Sequence, residues 1–376
     1  MAEHKTIIRA NCIICKGSLE SVHSFPEFPI FMGTSEESRQ NDIYEDLNFT
    51  KCKNCGCIQL SNLIPLDTLY KNSHNASVGK TWGRHHLEFY EFIKSYAKGT
   101  LVEVGGGNLH LAKYLENESA VGRIVVYDVN TYEDINPTKI EIRKEFFNVG
   151  TAPKADMIIH SHLLEHLYNP IDDLTDMGKL LDRGSYMAIA VPLIDKMLAD
   201  NFTNAMNFEH TFMTSYELIE DILESAGFTI IDNRNFNPYV SFIVAKKTSA
   251  TTNTSRIYPN QLEILDNFVK YHLEEVKRIK ENIWNYSREN TFIFGAHIFT
   301  QYLIKFGLDE GLFSNILDND DRKIGNRLYG TDLIVKSPKI LKDIENPILV
   351  LKAAQYTEEI KKDILENINP NTKFIL

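Results

Sequence analysis

The 376-residue chain is 43% apolar and 24% charged, enough for two or three domains with buried cores. Its 40 basic and 51 acidic residues give a net charge of −11, which disfavours a phosphate-backbone-binding surface and hence a nucleic-acid partner. The longest apolar runs, such as Tyr186 to Ile194, fall short of the roughly 20 residues of a membrane helix; the start of the chain also lacks a secretory pattern, so a cytoplasmic protein without a membrane partner is expected.

From the N-terminus, the first chemical signal is two cysteine pairs, Cys12-Ile-Ile-Cys15 and Cys52-Lys-Asn-Cys55. Each spacing lets two thiolates from one tight turn reach a single ion, and two such turns complete a closed tetrahedral zinc site of the structural kind. Cys57 reads as a partly buried bystander rather than a substitute ligand. Residues 1–70 otherwise read as irregular and too small to fold on their own core, so metal ligation is expected to supply folding free energy there.

Helical spacing follows from Trp82 to Ala97, and then strands alternate with helices. The expected strands are Leu101–Val104, Arg123–Tyr127, Ile140–Arg143, Met157–His160, Tyr186–Val191, Phe228–Asn233 and Val240–Lys246. The expected helices are Leu109–Glu116, Pro170–Leu181 and Ser215–Ser225. That alternation predicts an α/β fold with a parallel sheet, helices on both faces and an antiparallel edge formed by the last two strands. A small polar stretch, Lys247 to Ser255, reads as a boundary. Beyond it come an amphipathic helix from Gln261 to Ser287 and a smaller α/β alternation: strand Thr291–Phe294, helix Thr300–Phe306, strands Phe313–Leu317 and Ile348–Leu351, and helix Thr357–Asn367. The domains are thus expected at 1–70, 71–250 and 256–376. Asp318-Asn-Asp-Asp321 lacks the spaced oxygens of a calcium loop and reads as a turn.

Ligands in open α/β sheets bind beyond the carboxyl ends of the strands, where the first strand turns into a helix. Gly105-Gly106-Gly107 stands at that turn, and Asp128 ends the second strand, where an acidic residue would hold ribose hydroxyls. His110 occupies the third glycine position of a dinucleotide fingerprint, which disfavours a nicotinamide oxidoreductase. Glu103-Val-Gly-Gly-Gly107 resembles instead the E/D-x-G-x-G motif of S-adenosylmethionine-dependent methyltransferases. Ser161-His-Leu-Leu-Glu-His166 resembles the segment lining the methionine side of the cofactor in that superfamily, and Ala188-Ile-Ala-Val-Pro192 its fifth strand. The cofactor residues so implied are Glu103, Gly105, Gly107, Asp128 and Ser161.

Nearly the whole chain resembles the three-domain sugar C-methyltransferases, in which a zinc-binding domain, a class I methyltransferase domain and a Rossmann-like domain act on nucleotide-linked keto-deoxy sugars. The resemblance is carried by Cys52-Lys-Asn-Cys-Gly-Cys-Ile-Gln-Leu60, Asn207-Phe-Glu-His210, Ile316-Leu-Asp-Asn-Asp320 and Arg327-Leu-Tyr-Gly-Thr331. It implies His210 as general base, with Glu209 and His166 in the substrate pocket. An imidazole that titrates near neutral pH can remove a proton from carbon beside a ketone. It also implies S-adenosylmethionine and one structural zinc as cofactors, a nucleotide-sugar substrate, and a role in making a surface polysaccharide or glycosylated metabolite. The sequence departs from the family where Asn207 replaces a tyrosine, at Tyr70 to Ser77 in place of Y-x-Y-x-S-S, and at Leu351 to Gln355. O- or N-methylation of a sugar, and a non-catalytic zinc-ribbon interaction protein, therefore stay open. The sequence leaves the oligomeric state undetermined.

Overall fold

A computed structural model describes residues 5–70, 80–130, 138–248, 256–353 and 357–375. The expected boundary stretch at 249–255, the 71–77 part of the segment after Tyr70, and Gln355 lie outside the described residues.

Residues 1–70 are less irregular than the sequence suggested. Strand β1 (Leu19–Pro29) pairs antiparallel with β2 (Tyr44–Cys52), which pairs with β3 (Ile58–Leu60). The β1–β2 register shifts at Ser21/His23 and again at Phe25/Phe28. Two such bulges in a strand that also contains Pro26 and Pro29 break the period-2 alternation by which strands are recognised.

Helix α1 (Lys80–Ile93) precedes the central sheet, whose elements are β4 (Gly99–Val104), α2 (His110–Glu116), β5 (Val121–Tyr127), β6 (Ile140–Arg143), β7 (Ala155–Ser161), α3 (Pro170–Gly178), β8 (Leu181–Pro192), α4 (Ile194–Ala199), α5 (Tyr216–Ser225), β9 (Phe228–Asn237) and β10 (Val240–Lys247). The seven strands lie in the order β9-β10-β8-β7-β4-β5-β6. Strands β4 to β8 are parallel, and β10 is antiparallel to both its neighbours, which forms the expected edge. The expected helix at Pro170–Leu181 is shorter because its last residue, Leu181, opens β8. Chain order reverses between β4 and β7, so loops leaving their carboxyl ends diverge and open a crevice.

Helix α6 (Gln261–Ile283) leads to a second parallel sheet. Its elements are β11 (Thr291–Phe294), α7 (Ile298–Lys305), β12 (Asn315–Leu317), β13 (Val335–Lys336), β14 (Ile348–Val350), α8 (Thr357–Asp363) and β15 (Lys373–Ile375). The strand order is β13-β12-β11-β14-β15.

One apolar core joins the two ends of the chain. Phe25 packs edge-on against Tyr302 and Phe306 at ring separations of 5.4 and 4.9 Å, and Phe28 packs against Phe208. All of these lie in one buried cluster with Met206, Met213 and Phe268. The N-terminal sheet thus shares a core that its own residues are too few to build. That shared core also encloses the loop carrying His210.

Candidate active site

The four paired cysteines converge as their spacing requires. The sulfurs of Cys12, Cys15, Cys52 and Cys55 all lie within 4.8 Å of one another, with Cys12 to Cys55 at 3.6 Å and Cys15 to Cys52 at 3.3 Å. Zinc–sulfur bonds of about 2.3 Å in a tetrahedron call for sulfurs at comparable separations. The amides of Ile14 and Cys55 point at Cys12 and Cys52. The bond between Cys12 and Cys55 lowers the first thiol's pKa and raises the second's. Four thiols at this spacing fit a divalent ion. Cys57 stands outside the group: its hydrogen bond with Cys12, then burial, keeps its thiol protonated, and it donates to the carbonyl of Ile58.

The knuckle is stitched to the loop between α4 and α5. Leu60 N–H donates to the carbonyl of Thr211 at 2.8 Å, and Met213 N–H donates to that of Ile58 at 2.9 Å. Buried Arg9 donates to the carbonyls of Leu60, Thr211 and Tyr168, each at 3.0 Å. Past the central sheet, Gln261 accepts from Ile58 N–H and donates to the carbonyl of Met213. Gly56 sits at φ +81°, and a side chain there would meet the carbonyl of Tyr258 at 2.8 Å.

The glycine turn after β4 is shaped as a cradle. Gly105 and Gly107 have φ of +79° and +48°, and a Cβ on Gly107 would meet nothing within 4 Å. At Gly106 a Cβ would lie 2.3 Å from Val126, so the chain passes close over β5 and opens on its other side. Asp128 accepts from Gly107 N–H at 2.8 Å and from Asn130 N–H at 2.7 Å. Glu103 is buried beneath the turn, and its Oε2 has no hydrogen-bond partner. Burial, with the charge of Asp128 adding, pushes its carboxyl up to about 8. An open glycine cradle, the Asp128 carboxylate just past β5 and a buried acid with an unpartnered oxygen fit a cofactor that carries hydroxyls and positive charge. Ser161 ends β7 on the same side of the sheet.

The three pocket residues come together. The rings of His166 and His210 meet edge-on with centroids 4.9 Å apart, and Glu209 Oε2 is 3.9 Å from Nδ1 of His166. Nδ1 of His210 lies 2.9 Å from the carbonyl oxygen of Ala205. A carbonyl only accepts, so Nδ1 carries the hydrogen and Nε2 keeps the lone pair. Burial pulls His166 down to about 4, so it is neutral near pH 7. Asn207 is 1% exposed. Its Oδ1 accepts from the amides of Glu209 and His210 at 2.8 and 3.2 Å, so the side chain shapes the turn. Tyr302 from α7 donates to the carbonyl of Met206 at 2.6 Å and supports the loop from behind.

Tyr70 and Glu165, which were not among the expected site residues, lie against the same histidines. The Tyr70 hydroxyl is 2.8 Å from Nδ1 of His166 across 96 residues of chain. Glu165 is fully buried among imidazoles. Asp318 accepts from Ala296 N–H and from Lys323 at 2.9 Å each, so the acidic stretch at 318–321 is a braced turn, as expected. A surface depression of about 410 Å³ beside Lys342 and Asn371 includes none of these residues.

Residues 82–233 match the family model described as a methyltransferase domain. No curated protein matches the chain. Among solved structures it is similar to a SAM-dependent methyltransferase from Aquifex aeolicus, at 20% identity over 43% of this chain and 92% of that one, with a TM-score of 0.36. Human N-acetylserotonin methyltransferase in complex with SAM aligns at 18% identity over 44% of this chain and 52% of its own, also with a TM-score of 0.36. The N-methyltransferase NodS from Bradyrhizobium japonicum aligns at 13% identity over 45% and 97%, with a TM-score of 0.33. With the matched segment and the strand order above, the central sheet is that of a class I methyltransferase.

Proposed function

We propose that this methyltransferase moves the methyl group of S-adenosylmethionine onto a carbon of a nucleotide-linked keto-deoxy sugar, with His210 as general base. The observation that carries the reading is the Nδ1–H···O=C bond from His210 to Ala205, which fixes the tautomer whose Nε2 can take a proton.

When bound, the cofactor supplies an electrophilic methyl group. Gly105 and Gly107 would hold it close to the backbone, with Asp128 at its ribose, Glu103 beneath the turn and Ser161 toward its methionyl side. His210 Nε2 would remove the proton from the carbon beside the ketone, leaving the electron pair on that carbon and its carbonyl oxygen. His166, neutral through burial, and Tyr70 offer hydrogen-bonding groups beside that base. Glu209 borders the same space. Most of the acceleration in such a displacement comes from alignment of the two reactants. Cys12, Cys15, Cys52 and Cys55 would hold a structural zinc, and the product would enter a surface polysaccharide or glycosylated metabolite.

Mass spectrometry after incubation with S-adenosylmethionine and nucleotide sugars, with and without a 4-keto group, tests the reading. One added methyl only on keto sugars supports it. Addition to sugars lacking the ketone favours O- or N-methylation, the second reading, which the burial of Asn207 where the family has a tyrosine motivates.

A further inference from the structure

Glu165 lies among the pocket's imidazoles and is 0% exposed, yet neither of its side-chain oxygens has a hydrogen-bond partner. Its Oε1 is 3.3 Å from Nδ1 of His162 and 3.9 Å from Nε2 of His166. A carboxylate oxygen of Glu165, a nitrogen of His166 and a nitrogen of His210 lie within 4.8 Å of one another. Its main chain is tied to the same place, because its carbonyl accepts from Thr211 N–H, one residue past His210, at 3.2 Å.

A carboxylate kept only to fill space is a poor choice here, since burying an acid without hydrogen bonds costs far more than burying an apolar side chain of the same volume. We infer that Glu165 is a positioning residue, the buried counter-charge that stabilises the imidazolium formed when His210 takes a proton. The inference rests on His210 being the base. The proton passes from the substrate carbon to Nε2 of His210, and Glu165 remains ionised and takes none. Burial by itself would raise Glu165, but the imidazoles around it, His162 nearest at 3.3 Å and then His166 and His210, outweigh it and bring it to about 2. Other titratable groups facing the cluster are His160 beneath it, Glu209 and Tyr70 against His166, His85 against His162 at 5.1 Å between rings, and, farther off, Tyr168 and Asp128.

An opposite charge at this range raises a neighbouring base by about one pK unit or more. Glu165→Gln keeps the shape and removes the charge. With histidine rings labelled with 13C and the full chain titrated without substrate, the His210 midpoint should fall by about one pH unit in Glu165→Gln. It should fall less in Glu165→Asp, which keeps the charge but withdraws it, while S-adenosylmethionine binds as in the wild type. A merely structural role would change melting and leave the midpoint in place, and an unmoved midpoint overturns the inference. If neither variant folds, the wild-type Glu165 carboxyl carbon decides: an ionised signal at pH 7 supports the counter-charge and a protonated one overturns it. Metal analysis adds a further arm. A second ion per chain beyond that of the four cysteines, lost in Glu165→Gln, would make the carboxylate a ligand and overturn the inference. None of these readings needs the substrate, so failure of the sugar assignment would show separately in the mass-spectrometric panel.

Discussion

His210 gives its Nδ1–H to the carbonyl of Ala205 at 2.9 Å, five residues earlier in the same loop. The bond closes the turn that Asn207 shapes and aims the unprotonated nitrogen away from the backbone. His210→Ala should therefore lower methyl transfer by about 10²–10⁴, the range for a lost general base. Binding of S-adenosylmethionine by calorimetry should be unchanged, since the glycine turn is a separate structure. Full activity in the variant would rule His210 out as base.

The cysteine cluster should affect the same loop from a distance. Ile58 and Leu60, one and three residues after Cys57, pair with Met213 and Thr211, three and one residues after His210. Cys52→Ser should lose one zinc per chain by elemental analysis and speed amide exchange at Thr211 and Met213. Methyl transfer should drop about 10²-fold, as expected for a loosened catalytic group, with cofactor affinity kept. Loss of zinc with protection at Thr211 intact would show that the knuckle stands apart from the site.

Buried histidines should limit stability in acid. Burial lowers His85 to about 2, and His160 and His166 to about 4, below the ordinary value of 6.5. Above pH 6.5 folded and unfolded chains hold these rings neutral alike. Below it the unfolded chain binds protons that the folded chain refuses, so stability falls with pH, by up to about 1.4 kcal/mol per unit for each ring. Denaturant titrations from pH 7.5 to 4.5 should show that slope, and His160→Gln should make it shallower. A flat profile would show that the rings are not buried as neutral groups.

Residues close in sequence were the legible ones. Cys12 and Cys15 and the Gly105 to Gly107 turn announce themselves because their chemistry needs fixed local spacing, whereas Glu103 and the Asn207 to His210 segment are legible only through resemblance to known motifs. The parallel sheet and its antiparallel edge followed from the alternation of elements. Tyr70 reaches His166 only through the fold, and the bulged β1–β2 pair hides its period. The packing of Phe25 on Tyr302 and Phe306 joins segments no local pattern connects. Glu165 is not legible in the sequence, because a carboxylate beside a histidine is usually solvated and only the fold shows that this one is buried.

Glu103 supplies a prediction about the cofactor that needs no substrate. Burial, reinforced by Asp128, holds its carboxyl up to about 8, so at pH 7 most cofactor-free molecules carry its proton. S-adenosylmethionine brings a sulfonium and an ammonium, and positive charge within about 4–6 Å of the carboxyl favours its ionised form. Binding at pH 7 should then release most of one proton per chain. Calorimetric binding enthalpies in buffers of different ionisation enthalpy measure that release directly. Wild type should show a slope near one proton, and Glu103→Gln, which cannot ionise, should show almost none. Equal slopes in both would place the released proton on another group and leave Glu103 as a packed acid beneath the turn.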